Sequence, residues 1–251
     1  MKERQDTMLD IDIRLAELRS TGFTVFERVL DAGELVRARA LLDGLYEAFD
    51  PHVDKPMIDT SSGAAGAELM RRSTEFNWAS VLIGKDAWFR GLMRRHPVFD
   101  VVAAVLGRDC ILSSMNSLEP LRGRGHQTLH RDEGPVGPAG TVVVNSLWAI
   151  DDLSPANGAT RFVPGTQRTD ELAADDDPRI IQITAVAGSV VVFDAHVLHA
   201  ASRNFSGDRR RAVNVYYTRA GRPSQTDWAR YLAPAIVTAL APDERRMLGI
   251  A

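Results

Sequence analysis

Apolar positions recur at helical spacing in the first part of the chain and at strand spacing in the second. Residues 12–20 set Ile13, Leu15 and Leu18 among polar residues, which predicts a short amphipathic helix. Thr21-Gly22 closes it, because glycine suits the position just past a helix. Phe23-Thr24-Val25-Phe26 is aromatic and β-branched and reads as a strand. Asp31 then opens a second helix, and Glu34, three residues on, completes a capping box. Leu35, Ala38, Leu41, Leu42 and Leu45 form that helix's apolar stripe. Residues 50–74, with Pro51, Pro56 and Ser61-Ser62-Gly63, read as a long loop, a class that is often functional. Residues 86–106 give two helical segments broken at His96-Pro97, since the residue before proline is steered out of the helical region. His96 is read as a helix-end residue, not a ligand.

From residue 110 the period changes. Cys110 to Asn116 reads as a strand, and Arg122-Gly123-Arg124-Gly125 as a loop leading into His126-Gln127-Thr128-Leu129-His130-Arg131-Asp132, itself read as extended. Gly134, Pro135, Gly137, Pro138 and Gly140 mark a loop. Thr141 to Ile150 is a long β-rich run, Asn157-Gly158 a tight turn, and Ala159 to Val163 a short strand. Asp175-Asp176-Asp177-Pro178, within 168–179, is read as a solvated loop. Ile180–Ile183, Ser189–Phe193 and Ala212–Thr218 complete a set of about eight strands. Residues 225–248 return to helical spacing, with Trp228 and Tyr231 on one face and Pro234 and Pro242 as punctuation. The pattern predicts a sandwich or barrel. It gives one domain over 1–251: a mostly helical part at 1–109 with an early strand, a β core at 110–219, and closing helices at 220–251.

Composition narrows the function. A net charge of −3 gives no reason to expect nucleic acid as a partner. No apolar run reaches the roughly 18 residues needed to span a bilayer, and the first residues lack a signal-peptide apolar core. One cysteine, Cys110, excludes an intramolecular disulfide and a thiolate zinc cluster, and fits a reducing cytoplasm. Only Lys2, Lys55 and Lys85 are lysines; arginine dominates, as in GC-rich bacterial coding sequences.

The candidate chemistry starts at His130 and Asp132. Residues i and i+2 of an extended segment face the same way, so an imidazole and a carboxylate share one space. That is two thirds of a 2-His-1-carboxylate iron(II) site. The third ligand should lie far downstream on another strand. His196 and His199 are both candidates, and being three apart they face opposite ways. Spacing alone does not choose between them.

Further motifs follow in a fixed order: Trp148-Ala149-Ile150-Asp151-Asp152, then Asn157 through Gln167, then Gly188 to His199, then Asn204 to Arg210. With His130-Arg131-Asp132, and with Gly22 through Phe26 and the helix after it, this set resembles the phytanoyl-CoA dioxygenase family of iron(II)/2-oxoglutarate oxygenases. The resemblance implies a double-stranded β-helix (jelly-roll, cupin-like) core. It implies His130, Asp132 and His199 as metal ligands, the last because the family's distal histidine lies eleven residues after a strand-opening glycine, here Gly188. It implies Arg210 as the partner of the distal carboxylate of 2-oxoglutarate, which an arginine fork holds by two parallel hydrogen bonds. Alternation puts Arg209 and Arg211 on the opposite face; a charge run is otherwise most often solvated. Gln127 and Asn116 are implied as polar residues of the co-substrate pocket. Trp148 either walls the substrate site or is a core tryptophan. Some relatives carry a serine or threonine two residues past the distal histidine, where this chain has Ala201.

The resemblance thus implies Fe(II) as cofactor, 2-oxoglutarate and O2 as co-substrates, and a small-molecule substrate, with bacterial natural-product biosynthesis as the expected setting. Halogenating relatives lack the carboxylate, so Asp132 implies hydroxylation or another halide-free oxidation. Loops 50–74, 134–140 and 168–179 are expected to shape the substrate pocket. The alternatives are a cupin-like metal enzyme that does not use 2-oxoglutarate, oxidation of an acyl-CoA, and a catalytically silent binding protein.

Overall fold

The computed structural model describes residues 2–49 and 74–250, so the loop expected at 50–74 lies almost wholly outside the described residues. The strands are β1 (Phe23–Phe26), β2 (Phe76–Ala79), β3 (Ile111–Pro120), β4 (Val143–Ala149), β5 (Thr160–Val163), β6 (Ile181–Gln182), β7 (Val190–Asp194), β8 (Leu198–Ala201) and β9 (Ala212–Thr218). The helices are α1 (Lys2–Thr21), α2 (Ala32–Glu47), α3 (Ala87–Leu92), α4 (Val98–Leu106), α5 (Trp228–Tyr231), α6 (Pro234–Ala239) and α7 (Pro242–Met247). Six strands form one antiparallel sheet in the order β1-β7-β4-β9-β3-β2, and three form another in the order β6-β5-β8. Two facing antiparallel sheets flanked by helices are the jelly-roll core that the motifs imply.

Period-two alternation decides what each sheet face meets. On β4, Val144 and Trp148 join the helix-side core, whereas Leu147 and Ala149 face the second sheet. On β9, Val213, Val215 and Tyr217 face the helices. The helix-side core takes Leu18 of α1, Ala38 and Leu42 of α2, Val101, Val102 and Leu106 of α4, and Trp228 of α5. The inter-sheet core is smaller, built on Leu147, Phe162, Val191 and Phe193.

β3 carries a bulge between Leu112 and Ser114. Leu112 lies in the helix-side core, yet Ser114, two residues on, faces the inter-sheet space. The extra residue Ser113 reverses the parity, as a bulge does. Its Oγ accepts from Gln225 N at 2.7 Å and its carbonyl from Thr226 N at 3.0 Å, so the bulge docks the chain ahead of α5.

Several expectations need correction. α1 begins at Lys2, well before residue 12. Its packed positions are Ile11, Leu15 and Leu18, while Ile13 is 53% exposed, because a 3.6-residue period drawn from Leu18 misses position 13. β1 and β2, both from the first 109 residues, are the two edges of the large sheet. β2 escaped notice because Phe-Asn-Trp-Ala is too short to show a period; β3 extends to Pro120 to pair with it. The capping box of α2 is present, with Glu34 N donating to Asp31 Oδ1 at 2.8 Å and Asp31 N to Glu34 Oε2 at 3.0 Å. Pro234 and Pro242 start α6 and α7, where a missing N–H costs nothing. Among the described residues, no helix is long and apolar enough to cross a membrane.

Candidate metal centre

The two sheets enclose a cavity of about 200 Å³. Segment 126–132 crosses its mouth, but not as a regular strand. Its residues are irregular, and His130 alone forms a bridge, with His199 of β8. His130 N donates to His199 O at 3.0 Å and His199 N to His130 O at 2.9 Å. On either side the pairing is completed in other ways. Ala201 N donates to the Gln127 Oε1 side-chain oxygen at 3.0 Å, and Asp132 N to Ala195 O at 3.0 Å. The expected parity survives without the strand: His130 and Asp132 face the cavity and Arg131 faces away.

His130, Asp132 and His199 each offer a ligand atom, all within 4.8 Å of one another. The Nε2 atoms of both histidines lie 3.7 Å from Asp132 oxygens. Each Nδ1 sits against a backbone carbonyl, Thr128 O at 2.9 Å for His130 and Val197 O at 3.0 Å for His199. A carbonyl only accepts, so Nδ1 carries the proton and Nε2 turns its lone pair inward. Such carbonyl partners are the usual outer support of metal-binding histidines. His199 is buried against Phe193 and Phe162, with ring centroids at 4.8 and 5.9 Å. Burial pushes its pKa down, so it stays neutral, as a ligand requires; Asp132 works the other way and His130 adds to the fall. Asp132 Oδ2 accepts from Asn145 Nδ2 at 2.6 Å. Three convergent donors leaving room for further ligands can hold a divalent metal.

His196 is buried on the other side of the chain. Its Nδ1 contacts Gly134 O and its backbone N–H bonds Asp194 Oδ1 at 3.0 Å. Of the two histidines left open by spacing, the fold brings His199 and not His196 to His130 and Asp132.

Arg210 also lines the cavity. It is 2% exposed, and Nε and one terminal nitrogen both donate to Gly158 O, at 3.1 and 2.9 Å. Gly158 has φ +89°, and a Cβ there would meet Ser202 O at 2.7 Å, so only glycine presents this carbonyl. The Asn-Gly turn is thus also the anchor of Arg210. Among the described residues Arg210 has no carboxylate partner, and burial pushes its guanidinium down to about 10. Its neighbours are fully paired. Arg209 contacts Glu119 and bonds Asp43 at 2.7 Å; Arg211 bonds Asp151 at 2.8 Å and Asp43 at 2.9 Å. Arg209 is half-exposed while Arg210 and Arg211 are buried, and of the three only Arg210 lines the cavity.

Gln127 and Asn116 line the cavity, and among the described residues the buried Asn116 Oδ1 has no hydrogen-bond partner. Ala201 lines it too, and Thr160, its partner across β5 and β8, brings a hydroxyl to the same place. Trp148 does not wall the site. It is fully buried in the helix-side core, its Nε1 donating to Ser146 Oγ at 3.0 Å, because Asn145 and Leu147 hold the cavity-facing positions of β4. Among the described residues, no member of loops 134–140 or 168–179 lines the cavity. These loops pack outside it: Asp175 bonds Arg161 at 2.7 Å and His126 at 3.0 Å. Asn145, Asn214, Tyr216, Ser114 and Gln225 line the cavity and were not singled out from the sequence. The available signal was a polar residue breaking an apolar run, as in Val144-Asn145 and Val213-Asn214-Val215.

Comparison with known proteins matches residues 18–212 to the model described as Phytanoyl-CoA dioxygenase (PhyH). The chain belongs to the PhyH family. The ordered motifs therefore pointed to the right family, and this PhyH chain is an oxidoreductase of the dioxygenase type. Dioxygenase af480 of Aspergillus fumigatus is 25% identical over 257 residues, covering 98% of this chain and 79% of that protein. Two solved PhyH-like folds are similar. HygX of Streptomyces hygroscopicus, with nickel, 2-oxoglutarate and hygromycin B bound, superposes with a TM-score of 0.65 at 15% identity, covering 84% of this chain and 88% of its own. The epimerase SnoN, in complex with Fe3+, alpha ketoglutarate and nogalamycin RO, gives 0.62 at 18% identity over 90% of this chain and 91% of its own.

Proposed function

We propose that this PhyH protein is an iron(II)/2-oxoglutarate-dependent oxygenase that oxidises a small-molecule metabolite without halide. The carrying observation is Arg210, a buried guanidinium with no anion of its own among the described residues, in the same cavity as His130, Asp132 and His199. A buried charge without a partner is costly, and a dicarboxylate anchored at the metal removes that cost. The residues fit the missing groups. The two Nε2 atoms and the Asp132 carboxylate would hold the metal, Asn145 orients that carboxylate, and the Arg210 guanidinium would receive the far carboxylate. Asn116, Gln127 and the Thr160 hydroxyl supply polar contacts along the co-substrate, Thr160 standing in for the hydroxyl that Ala201 lacks. When bound, iron(II) with 2-oxoglutarate and O2 supplies a two-electron oxidation of the substrate, coupled to decarboxylation to succinate. Phe162 and Phe193 shield the His199 side of the site from water, while the His130 and Asp132 side stays open to solvent.

The substrate belongs to natural-product metabolism in this reading, in keeping with the ligands named for HygX and SnoN. One catalytic unit carries the activity, and the lone buried Cys110 suits a reducing cytoplasm. The test is anaerobic titration of iron(II)-loaded protein with 2-oxoglutarate, read by the weak visible charge-transfer band of the chelate. Iron bound without a band would refute 2-oxoglutarate as co-substrate and favour a cupin-like metal enzyme, which leaves Arg210 without a purpose.

A further inference from the structure

Arg131 stands between two of the candidate ligands, and its side chain leaves the cavity. Its Nε donates to His196 O at 2.9 Å. One terminal nitrogen lies 3.1 Å from Thr166 O, 3.0 Å from Thr169 O and 2.8 Å from Glu171 O. These carbonyls come from two segments: the turn that leads into β8 and His199, and the stretch that follows β5. No carboxylate among the described residues pairs with the guanidinium; four backbone carbonyls take its donors.

This arrangement occurs where regular pairing stops. Segment 126–132 has one bridge to β8, at His130. On one side of that bridge Gln127 N donates to Ala201 O at 3.1 Å, and the Gln127 side chain completes the pair by accepting from Ala201 N at 3.0 Å. Arg131 fills in on the other, and its Nε bond to His196 O ties the His130-Asp132 segment to the one that carries His199. Backbone hydrogen bonds at Gln127, His130 and Asp132 hold the segment along one line; the Arg131 fork adds a point set off from that line and resists rotation about it. Rotation would carry the His130 and Asp132 donor atoms away from His199.

We propose that Arg131 is a positioning residue of the metal centre, its planar fork fixing the His130-Asp132 pair relative to His199. The role rests on the reading of these three residues as metal ligands. A lysine keeps the charge but offers a point donor, which cannot bond His196 O on one side and the 166–171 carbonyls on the other.

The test is metal titration of full-length wild type, Arg131→Lys and Arg131→Ala with cobalt(II), following the visible d–d bands, alongside thermal unfolding of the metal-free proteins. Both variants are expected to bind cobalt about 10- to 100-fold more weakly, the usual effect of losing outer support of a metal site. Their bands should change shape, reporting altered coordination. Millimolar guanidinium should restore much of the affinity to Arg131→Ala and none to Arg131→Lys. Val102→Ala, in α4 and within the helix-side core, is the control for lost stability and should bind cobalt normally. Cobalt affinity and spectrum unchanged in both Arg131 variants would overturn the positioning role alone. So would a loss matched by Val102→Ala at equal loss of stability. No cobalt binding by the wild type would overturn the ligand assignment itself, and the role with it.

Discussion

Replacing Arg210 with methionine should separate co-substrate binding from stability, because the two depend on this residue in opposite ways. Burial depresses the guanidinium to about 10, a penalty on the charged form of the order of 3 kcal/mol. For a cation with a lowered pKa the penalty is present in full below about pH 10 and is relieved only as pH rises through that value. An assay at pH 7 to 8 therefore reads all of it. Methionine removes this penalty and fills much of the same volume. Against that, Gly158 O loses its partners, at a cost of about 1–3 kcal/mol for a buried acceptor. The two effects nearly cancel, so the ligand-free variant should melt within a few degrees of wild type. Co-substrate binding should behave very differently. Truncating one side of a buried, hydrogen-bonded charge pair costs about 2–5 kcal/mol, or about 30-fold to several thousand-fold in affinity. Thermal unfolding of anaerobic, metal-loaded protein reads both quantities. At 2-oxoglutarate concentrations 100-fold above its dissociation constant, wild type should gain about 2.7 kcal/mol, a rise of about 5–10 °C. Arg210→Met should show a rise of at most about 3 °C. A variant that loses more than about 3 kcal/mol without ligand and is still protected by 2-oxoglutarate would show that Arg210 is a structural residue and that the dicarboxylate binds elsewhere.

Other substitutions discriminate among the remaining assignments. His199→Ala should abolish metal binding in an anaerobic iron titration, whereas His196→Ala should bind iron normally and lose about 1–3 kcal/mol of stability, since Gly134 O and its surroundings lose a buried partner; the reverse result would refute the ligand set. Trp148→Ala should cost about 3–5 kcal/mol in chemical denaturation while leaving 2-oxoglutarate affinity unchanged, as befits a core residue outside the cavity. Asp151→Asn should weaken acid resistance in a characteristic way. Burial opposes the Asp151 charge, but hydrogen bonds from Arg211 outweigh it and lower the pKa. A depressed carboxylate contributes stability above its ordinary pKa near 4 and loses it as pH falls through the folded value. Wild-type stability should therefore fall more steeply than that of the variant below about pH 4, and parallel curves would exclude the pair as a source of acid sensitivity.

Much of the site was legible because its chemistry sits at fixed offsets in the chain. His130 and Asp132 share a face by parity, and Arg210 is separated from Arg209 and Arg211 by the same rule. The choice of His199 over His196 was not a matter of parity, which only says that the two differ. It needed the family spacing from Gly188, and the fold explains that spacing. Gly188 has φ +88° and a Cβ there would lie 2.6 Å from Leu30 O, so it fixes where β7 starts. Trp148 could not be assigned in advance, since both faces of β4 are apolar enough to bury an indole. β2 and the irregular path of 126–132 were hidden for a shared reason. Both depend on partners far away in sequence, the end of β3 for one and the carbonyls around Arg131 for the other. Asn145 and Asn214 were visible as polar breaks in apolar runs, but a break in a pattern does not say what it faces.

The bulge at Ser113 bears on how such a scaffold can change over time. Upstream of it, alternate residues of β3 look toward the helices; downstream, the same alternation looks into the cavity. One inserted residue thus lets a single strand serve stability at one end and selectivity at the other. Losing Ser113 would exchange those duties, turning Leu112 toward the substrate and releasing Gln225 from its dock. Substitutions at Ser114, Asn116 and Leu118 can therefore be sampled by selection with little disturbance of the helix layer, while the length of this strand is held fixed. A scaffold that separates the two in this way is free to acquire new substrates by side-chain exchange, and is poorly served by deletions.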